Sequence, residues 1–285
     1  ITQGTGAVLN IILDPIMIFG YCGMPALGVK GAAIATVIGQ CVAFILALIF
    51  NIKVNKEVNI RISKIFKPQL QEIIKIYEIG IPSIIMTSIT SFLTVGMNLI
   101  LKKFSEDAIT VFGVYFKLNS FVFMPVFGLN NGMVPILSYN YGAKKHDRII
   151  KTVRLGMSCA VIYMLAGLAV FEIMPDKLLM IFSASENVMN IGVTALRIIA
   201  LSFIFAGIGI VSSTVFQSIG NPLHSLLISV LRQLVIILPV AYLLSLTGSV
   251  SNVWWSYPIA EVASFILSVF FLRKTFKKLN KEVLG

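Results

Sequence analysis

The sequence NIILDP at residues 10–15 lies inside an apolar run that reaches Phe19. A carboxylate is costly to place in lipid, so we expect Asp14 to face a helix bundle or a wet cavity. Asn10 and Asp14 are four residues apart, which stacks them on one face of a helix. Pro15 lacks an N–H and deprives the carbonyl oxygen four residues earlier of its helical partner. These oxygens lie within about one helical turn and suit a small cation or a moving proton. The alternative is a structural kink in which Asp14 only hydrogen-bonds a neighbouring helix.

The composition predicts an all-α polytopic membrane protein. Hydrophobic residues make up 57% of the 285 residues and charged residues 12%, whereas soluble domains are about 45–50% apolar and about 25% charged. A membrane-spanning helix needs about 20 apolar residues. On that measure we predict eight transmembrane segments, at residues 4–20, 29–52, 76–101, 109–137, 152–174, 190–219, 223–246 and 252–272.

The basic residues predict the orientation of these segments. Most of them lie in connection 53–75, in residues 144–154 and in the tail from Arg273. Cytoplasmic loops are rich in Lys and Arg, so we place these regions and the C-terminus in the cytoplasm. The net charge of +11 is then explained by topology in a cell membrane and by anionic lipids, and no nucleic-acid partner is needed. The opposite connections carry Lys30, Lys102, Lys103 and Lys177.

An internal repeat predicts a larger architecture. Residues 33–46 have the same pattern as residues 254–267, with Gln40 opposite Glu261, and each stretch follows a segment containing a proline. Both copies run inward, as in transporters built from two parallel halves. The chain also starts at Ile1, almost within a segment, so we expect it to be the last eight of twelve helices. The expected parts are the last two helices of an N-terminal lobe (1–52), a cytoplasmic linker (53–75), a six-helix C-terminal lobe (76–273) and a basic cytoplasmic tail (274–285).

Several motifs resemble the multidrug and toxic compound extrusion (MATE) family along the whole chain. They are LNIILDP at 9–15, GAAIAT at 31–36, SFVFMPVFGLN at 120–130, YNYGA at 139–143 and QSIGNP at 217–222. The resemblance implies a twelve-helix, two-lobe antiporter that is driven by H+ or Na+ and exports amphipathic, cationic compounds. It also implies no cofactor, and we expect a monomer in the lipid bilayer.

The resemblance assigns the candidate coupling site. Asp14 and Asn10 match the fifth-segment pair of an acidic cation site found in some members, and Thr36 matches its sixth-segment hydroxyl. The remaining residues of that site lie outside this chain. Another branch carries acids in its seventh and tenth segments, but this chain has Thr90 and the apolar stretch 206–210 there. Asp14 is therefore the candidate for H+ or Na+ binding, and no other metal site is expected.

The second membrane-embedded acid, Glu261, has three candidate partners, and either a structural or a coupling role remains open. The candidate partners are Lys117, Arg197 and Arg232. Paired charges inside a membrane satisfy one another and need not act. Segment 109–137 contains Pro125 and Pro135, so we interpret it as a bending helix that lines a cavity, with a static kink as the alternative. The candidate cavity or gating residues are Pro15, Gln40, Lys117, Asn119, Met124, Pro125, Asn130, Asn131, Arg197, Arg232 and Glu261.

Two other functions compete with drug export. A flippase for lipid-linked oligosaccharides would need a basic cavity, which Lys117, Arg197 and Arg232 would supply if all three faced it. A non-transporting membrane scaffold would not need Asp14 in a cavity. The sequence contains no HExxH, CxxC or phosphate-binding glycine loop, so we do not expect an enzyme.

Overall fold

A computed structural model of the protein describes residues 2–54 and 69–284, and their regular structure is helical. Apolar side chains cover much of the outer surface, as a lipid-facing surface requires; Phe92, Leu99 and Ile173 are each more than 60% exposed. The helices are α1 (Thr2–Phe19), α2 (Val29–Val54), α3 (Leu70–Leu101), α4 (Glu106–Gly142), α5 (His146–Ile173), α6 (Pro175–Met180), α7 (Glu186–Ala200), α8 (Phe203–Ser218), α9 (Pro222–Val230), α10 (Leu238–Ser245), α11 (Val250–Val253) and α12 (Ser256–Leu284).

The prediction of eight spans is confirmed, with different boundaries. Seven helices of the described residues are long and apolar enough to cross a membrane, and the pair α7–α8 makes an eighth span that is bent by 50°. The predicted segment 190–219 corresponds to this bent pair, which runs from Glu186 to Ser218. Helix α2 continues to Val54 and helix α3 begins at Leu70, so the ends of the predicted linker 53–75 are helical. Residues 55–68 of that linker lie outside the described residues.

The chain divides into two compact units, residues 1–73 and 74–285. In the first unit, α1 and α2 form a tight antiparallel hairpin. The turn begins at Gly20, whose φ of 77° is readily reached only without a Cβ, and closes with a hydrogen bond from Leu27 N to Met17 O of 3.0 Å. Gly6 and Gly39 face each other, and a Cβ built on Gly39 would lie 2.8 Å from Gly6 O. The backbones therefore approach more closely than larger residues permit.

The second unit has a continuous apolar core between its long helices. Trp254 is fully buried near the start of α12, and Phe112, Phe171 and Phe203 contribute from α4, α5 and α8. Ser105 caps α4 by accepting a hydrogen bond from Ala108 N at 3.1 Å. This core fixes the rotation of α4, α8 and α12, and so decides which of their polar side chains face inward.

A π-helix at Leu231–Ile237 joins α9 to α10. Pro239 lies two residues after its end and can neither donate a backbone hydrogen bond nor fit against a regular α-helical turn. The wider π turns accommodate this break, and such turns are frequent at functional sites. They carry Arg232 and the buried Gln233.

Candidate functional site

The first unit brings together the three residues of the candidate coupling site. Asn10 Nδ2 lies 3.4 Å from Asp14 Oδ1 on α1 and 3.3 Å from Thr36 Oγ1 on α2. The Thr36 hydroxyl donates to Ala32 O at 2.9 Å. Gly39 makes this approach possible, because a Cβ built there would lie only 2.8 Å from the backbone oxygen of Gly6 on α1.

This cluster offers a carboxylate, an amide and a hydroxyl within one small volume. As the hydrogen bonds stand, the amide of Asn10 donates to both neighbours. The two ends of an amide are interchangeable by a half-turn, which would present Oδ1 of Asn10 instead. Asp14, Asn10 and Thr36 then supply three oxygens, the ligand type of small hard cations. Helix α1 continues through Pro15 to Phe19. Across the described residues, no group of three or more His, Cys, Asp or Glu side chains is placed to hold a metal ion.

The second unit contains a cavity of about 530 Å³, lined by α3, α4, α8, the π-helix and its flanks, and α12. One part of its lining is aromatic and comprises Tyr115, Phe116, Phe123, Phe127 and Tyr257. The rings of Tyr115 and Tyr257 meet edge to face, with centroids 5.6 Å apart. Mostly apolar walls with a few placed polar groups are typical of small-molecule sites.

An ion pair lies in the lining of this cavity. Arg232 Nη1 donates to Glu261 Oε1 at 3.0 Å, and the side chains are 25% and 8% exposed. Arg232 comes from the π-helix and Glu261 from α12, so the pair joins two neighbouring elements. Among the three predicted partners for Glu261, the structure therefore selects Arg232.

Several buried polar atoms of the cavity have no hydrogen-bond partner among the described residues. Such atoms are rare in native proteins, because each carries a desolvation penalty. They lie on side chains from α4, the π-helix and α12, and a bound molecule is one way to satisfy them. They are Asn119 Oδ1, Asn130 Oδ1, Arg232 Nε, Tyr257 OH and Glu261 Oε2.

The predicted cavity residues divide into those that line the cavity and those that lie elsewhere. Asn119, Asn130, Asn131, Arg232 and Glu261 line it. The described lining does not include Lys117, Met124, Pro125 or Arg197. Gln40 is exposed on α2 and Pro15 is half-buried on α1, both in the first unit.

The two remaining basic residues have their own contacts. Lys117 Nζ lies 5.7 Å from the ring centroid of Phe182, a cation–π distance. Arg197 Nε lies 3.9 Å from Glu172 Oε2, and both side chains are more than a third exposed. The flippase interpretation needs three basic side chains facing the cavity. Only Arg232 does so in the described residues, and its charge is balanced by Glu261.

Sequence reasoning missed part of the lining. Tyr115, Ser202, Gln233 and Tyr257 all contribute to the cavity. The sequence contained a signal for two of these residues, because Tyr257 precedes the predicted cavity residue Glu261 by one helical turn and Gln233 adjoins the predicted cavity residue Arg232. Ser202 had no comparable signal, because it reaches the cavity through the bend between α7 and α8. Its hydroxyl donates to Ile199 O at 2.6 Å, which satisfies a carbonyl at the bend.

The chain is similar to known membrane transporters in sequence and in fold. Residues 82–243 match the family model MatE. The chain is 32% identical over 270 residues to the multidrug export protein MepA of Staphylococcus aureus (strain bovine RF122 / ET3-1), which covers 93% of this chain and 58% of that protein. It is 30% identical over 264 residues to MepA of Staphylococcus haemolyticus (strain JCSC1435), over 92% of this chain and 56% of that protein.

A solved structure has the same fold. The crystal structure of a MATE protein in the straight conformation superimposes with a TM-score of 0.87 at 23% sequence identity, over 98% of this chain and 62% of that one. The chain therefore spans less than two thirds of the length of these relatives.

Proposed function

Because the chain belongs to the MatE family of multi-pass, non-enzymatic membrane transporters, we propose that the protein is an antiporter that uses inward H+ or Na+ to export amphipathic drugs or toxic compounds. The observation that carries the proposal is the contact of Asn10 with both Asp14 and Thr36. Intramembrane acids mark ion pathways and proton relays. The protein needs no cofactor beyond its coupling ion.

Asp14 is the proposed acceptor of the coupling ion. When it binds a proton, the carboxylate loses its charge and accepts a weaker hydrogen bond from Asn10. When it binds Na+, the amide of Asn10 turns its oxygen to the ion. Either event changes the contact between α1 and α2 at this level, and so favours one arrangement of the transporter over another.

The cavity of the second unit is the proposed site of the exported compound. Its size falls in the range of ligand pockets, about 300–1,000 Å³, and its aromatic wall suits flat, amphipathic molecules. Aromatic faces also attract organic cations. The predicted cationic substrates fit this wall, although the ion pair beside it leaves the lining without net charge.

The proposed orientation places the C-terminus in the cytoplasm of a bacterial cell. The contact of Lys103 Nζ with the ring of Tyr242, at 4.7 Å from its centroid, fits the part of this topology that has both residues on one side of the membrane. It joins the end of α3 to the end of α10, and both ends are predicted to lie on the outer side. Lys103 belongs to the sparsely basic connections, as the positive-inside rule requires.

Efflux from vesicles tests the proposal. The full-length protein is reconstituted, and efflux of ethidium is followed under an imposed H+ gradient and then under a Na+ gradient. Efflux driven by one gradient identifies the coupling ion. Asp14→Asn removes the carboxylate and is expected to abolish gradient-driven efflux while the protein still inserts. The matched control is Asp147→Asn, in the first turn of α5, which is expected to keep wild-type efflux. Wild-type efflux by Asp14→Asn contradicts the mechanism.

A further inference from the structure

The ion pair in the cavity lining has unpaired atoms that a purely structural ion pair would use in hydrogen bonds. Only one hydrogen bond joins the two groups, from Arg232 Nη1 to Glu261 Oε1. Arg232 Nε and Glu261 Oε2 are buried and have no partner among the described residues. A buried pair offsets its desolvation only when further hydrogen bonds satisfy its remaining atoms. Here those atoms belong to two residues that line a cavity.

We propose that Arg232 and Glu261 form a binding site for amphipathic zwitterions whose ammonium and carboxylate groups adjoin each other. The ammonium of the ligand donates to Glu261 Oε2, and its carboxylate accepts from Arg232 Nε. The bond between Arg232 and Glu261 stays in place. The proposal rests on the proposed export function only in one respect: it assumes that the molecule bound in the cavity is the exported compound.

The charge of the lining favours a zwitterion over a simple ion. Arg232 and Glu261 are the charged residues among those described in the lining, and their charges cancel. A simple cation gains from Glu261 but is repelled by the guanidinium 3.0 Å from it. A simple anion gains from Arg232 but is repelled by the carboxylate of Glu261. A ligand with both charges satisfies both free atoms and leaves no charge unpaired, which is the condition for burying ions.

The neighbouring side chains fit the apolar part of such a ligand. Tyr257 precedes Glu261 by one turn of α12, and its hydroxyl is also buried without a partner in the described part of the chain. The ring of Tyr115 packs against it, and Phe116 continues the aromatic wall. An aromatic scaffold stacks on this wall while its charged end reaches the ion pair.

Three fluorescent probes that share the dansyl-lysine scaffold and carry different charges test the site. Nε-dansyl-lysine carries an adjoining ammonium and carboxylate, its methyl ester is a cation, and its Nα-acetyl derivative is an anion. Binding of each to the purified full-length protein is measured by dansyl fluorescence polarisation at equilibrium without an ion gradient. A failure of ion coupling at Asp14 therefore leaves this measurement unchanged, and a failure here leaves gradient-driven efflux unchanged.

The wild-type protein is expected to bind the zwitterion roughly tenfold more tightly than either simple ion, which is the effect of about one charge-assisted hydrogen bond. Glu261→Gln and Arg232→Gln are each expected to remove this preference. Arg232→Gln should also improve binding of the cation, because it removes the repulsion. Equal binding of all three probes by the wild type overturns the proposal.

Two further variants guard against misfolding. Arg232→Gln/Glu261→Gln leaves no unpaired buried charge, so it is expected to fold and to bind the three probes alike. Arg197→Gln makes the same change in the half-exposed ion pair with Glu172 and is expected to keep the preference. A double variant that elutes as a folded protein and still prefers the zwitterion overturns the proposal, as does loss of the preference in Arg197→Gln.

Discussion

Replacing Gly39 by Ala should disrupt the candidate coupling site without touching a polar atom. A Cβ on Gly39 would lie 2.8 Å from Gly6 O, whereas ordinary contact begins at 3.4 Å. The obstructing atom belongs to the backbone of α1, so no side chain can rotate away to make room. The helices must therefore separate by about 0.6 Å, because only small residues at such a crossing allow the closer approach. The same shift would lengthen the 3.3 Å contact between Asn10 Nδ2 and Thr36 Oγ1 to about 3.9 Å, beyond hydrogen-bond range.

The expected change in stability is small, which makes the functional effect separable. Overpacking costs about 1–3 kcal/mol, and replacing glycine by alanine within a helix returns about 1 kcal/mol. We therefore expect Gly39→Ala to lower the free energy of unfolding by about 0–2 kcal/mol. Gradient-driven ethidium efflux should fall several-fold, because Asn10 no longer holds Asp14 and Thr36 together.

The matched control is Gly4→Ala on α1, the other helix of the hairpin. A Cβ at Gly4 meets nothing within 4 Å, so this variant should keep its efflux and be as stable as the wild type or slightly more so. Thermal unfolding in detergent and efflux from vesicles are measured on both variants. Wild-type efflux by a folded Gly39→Ala protein would refute the argument that close contact of α1 and α2 maintains the site.

Three further predictions concern single residues. Ser105→Ala removes the cap of α4 and should lower stability by about 1 kcal/mol, measured by thermal unfolding. Arg232→Gln should destabilise more than Glu261→Gln, because it leaves the more deeply buried charge unpaired; the reverse order of melting temperatures would contradict this. An impermeant maleimide should label exposed Cys22 from outside intact cells, whereas a Lys144→Cys variant should gain labelling only after permeabilisation; the opposite pattern would reverse the topology.

The sequence was sufficient for the spans and for the local geometry of the first unit. Apolar runs of about 20 residues leave few alternatives to a membrane helix, and α1 and α2 fall where these runs predict. The four-residue spacing of Asn10 and Asp14 puts them on one face regardless of tertiary structure. The position of Thr36 follows from the antiparallel hairpin. The outer end of α1, which carries Asp14, lies beside the outer start of α2, which carries Thr36.

Features that depend on how helices rotate could not be predicted. Three basic residues were candidate partners of Glu261, and the choice of Arg232 depends on the π turns before Pro239. Lys117 has a long apolar stem that carries its charge to Phe182 instead. The 50° bend between α7 and α8 occurs where the sequence has neither Pro nor Gly, so no local signal marks it.

Helix α4 has 37 residues from Glu106 to Gly142, which makes it about 55 Å long. The hydrocarbon core is about 30 Å thick, and an ordinary tilt of about 20° shortens the projection of the helix by only a few ångströms. The helix therefore extends well into the headgroup regions on both sides of the membrane, so a small change in its tilt moves both of its ends. A tilt of about 10° around its midpoint would displace each end by about 5 Å in opposite directions. As long as the helix moves as one rigid body through Pro125 and Pro135, movement at the Ser105 end is transmitted to the opposite face of the membrane.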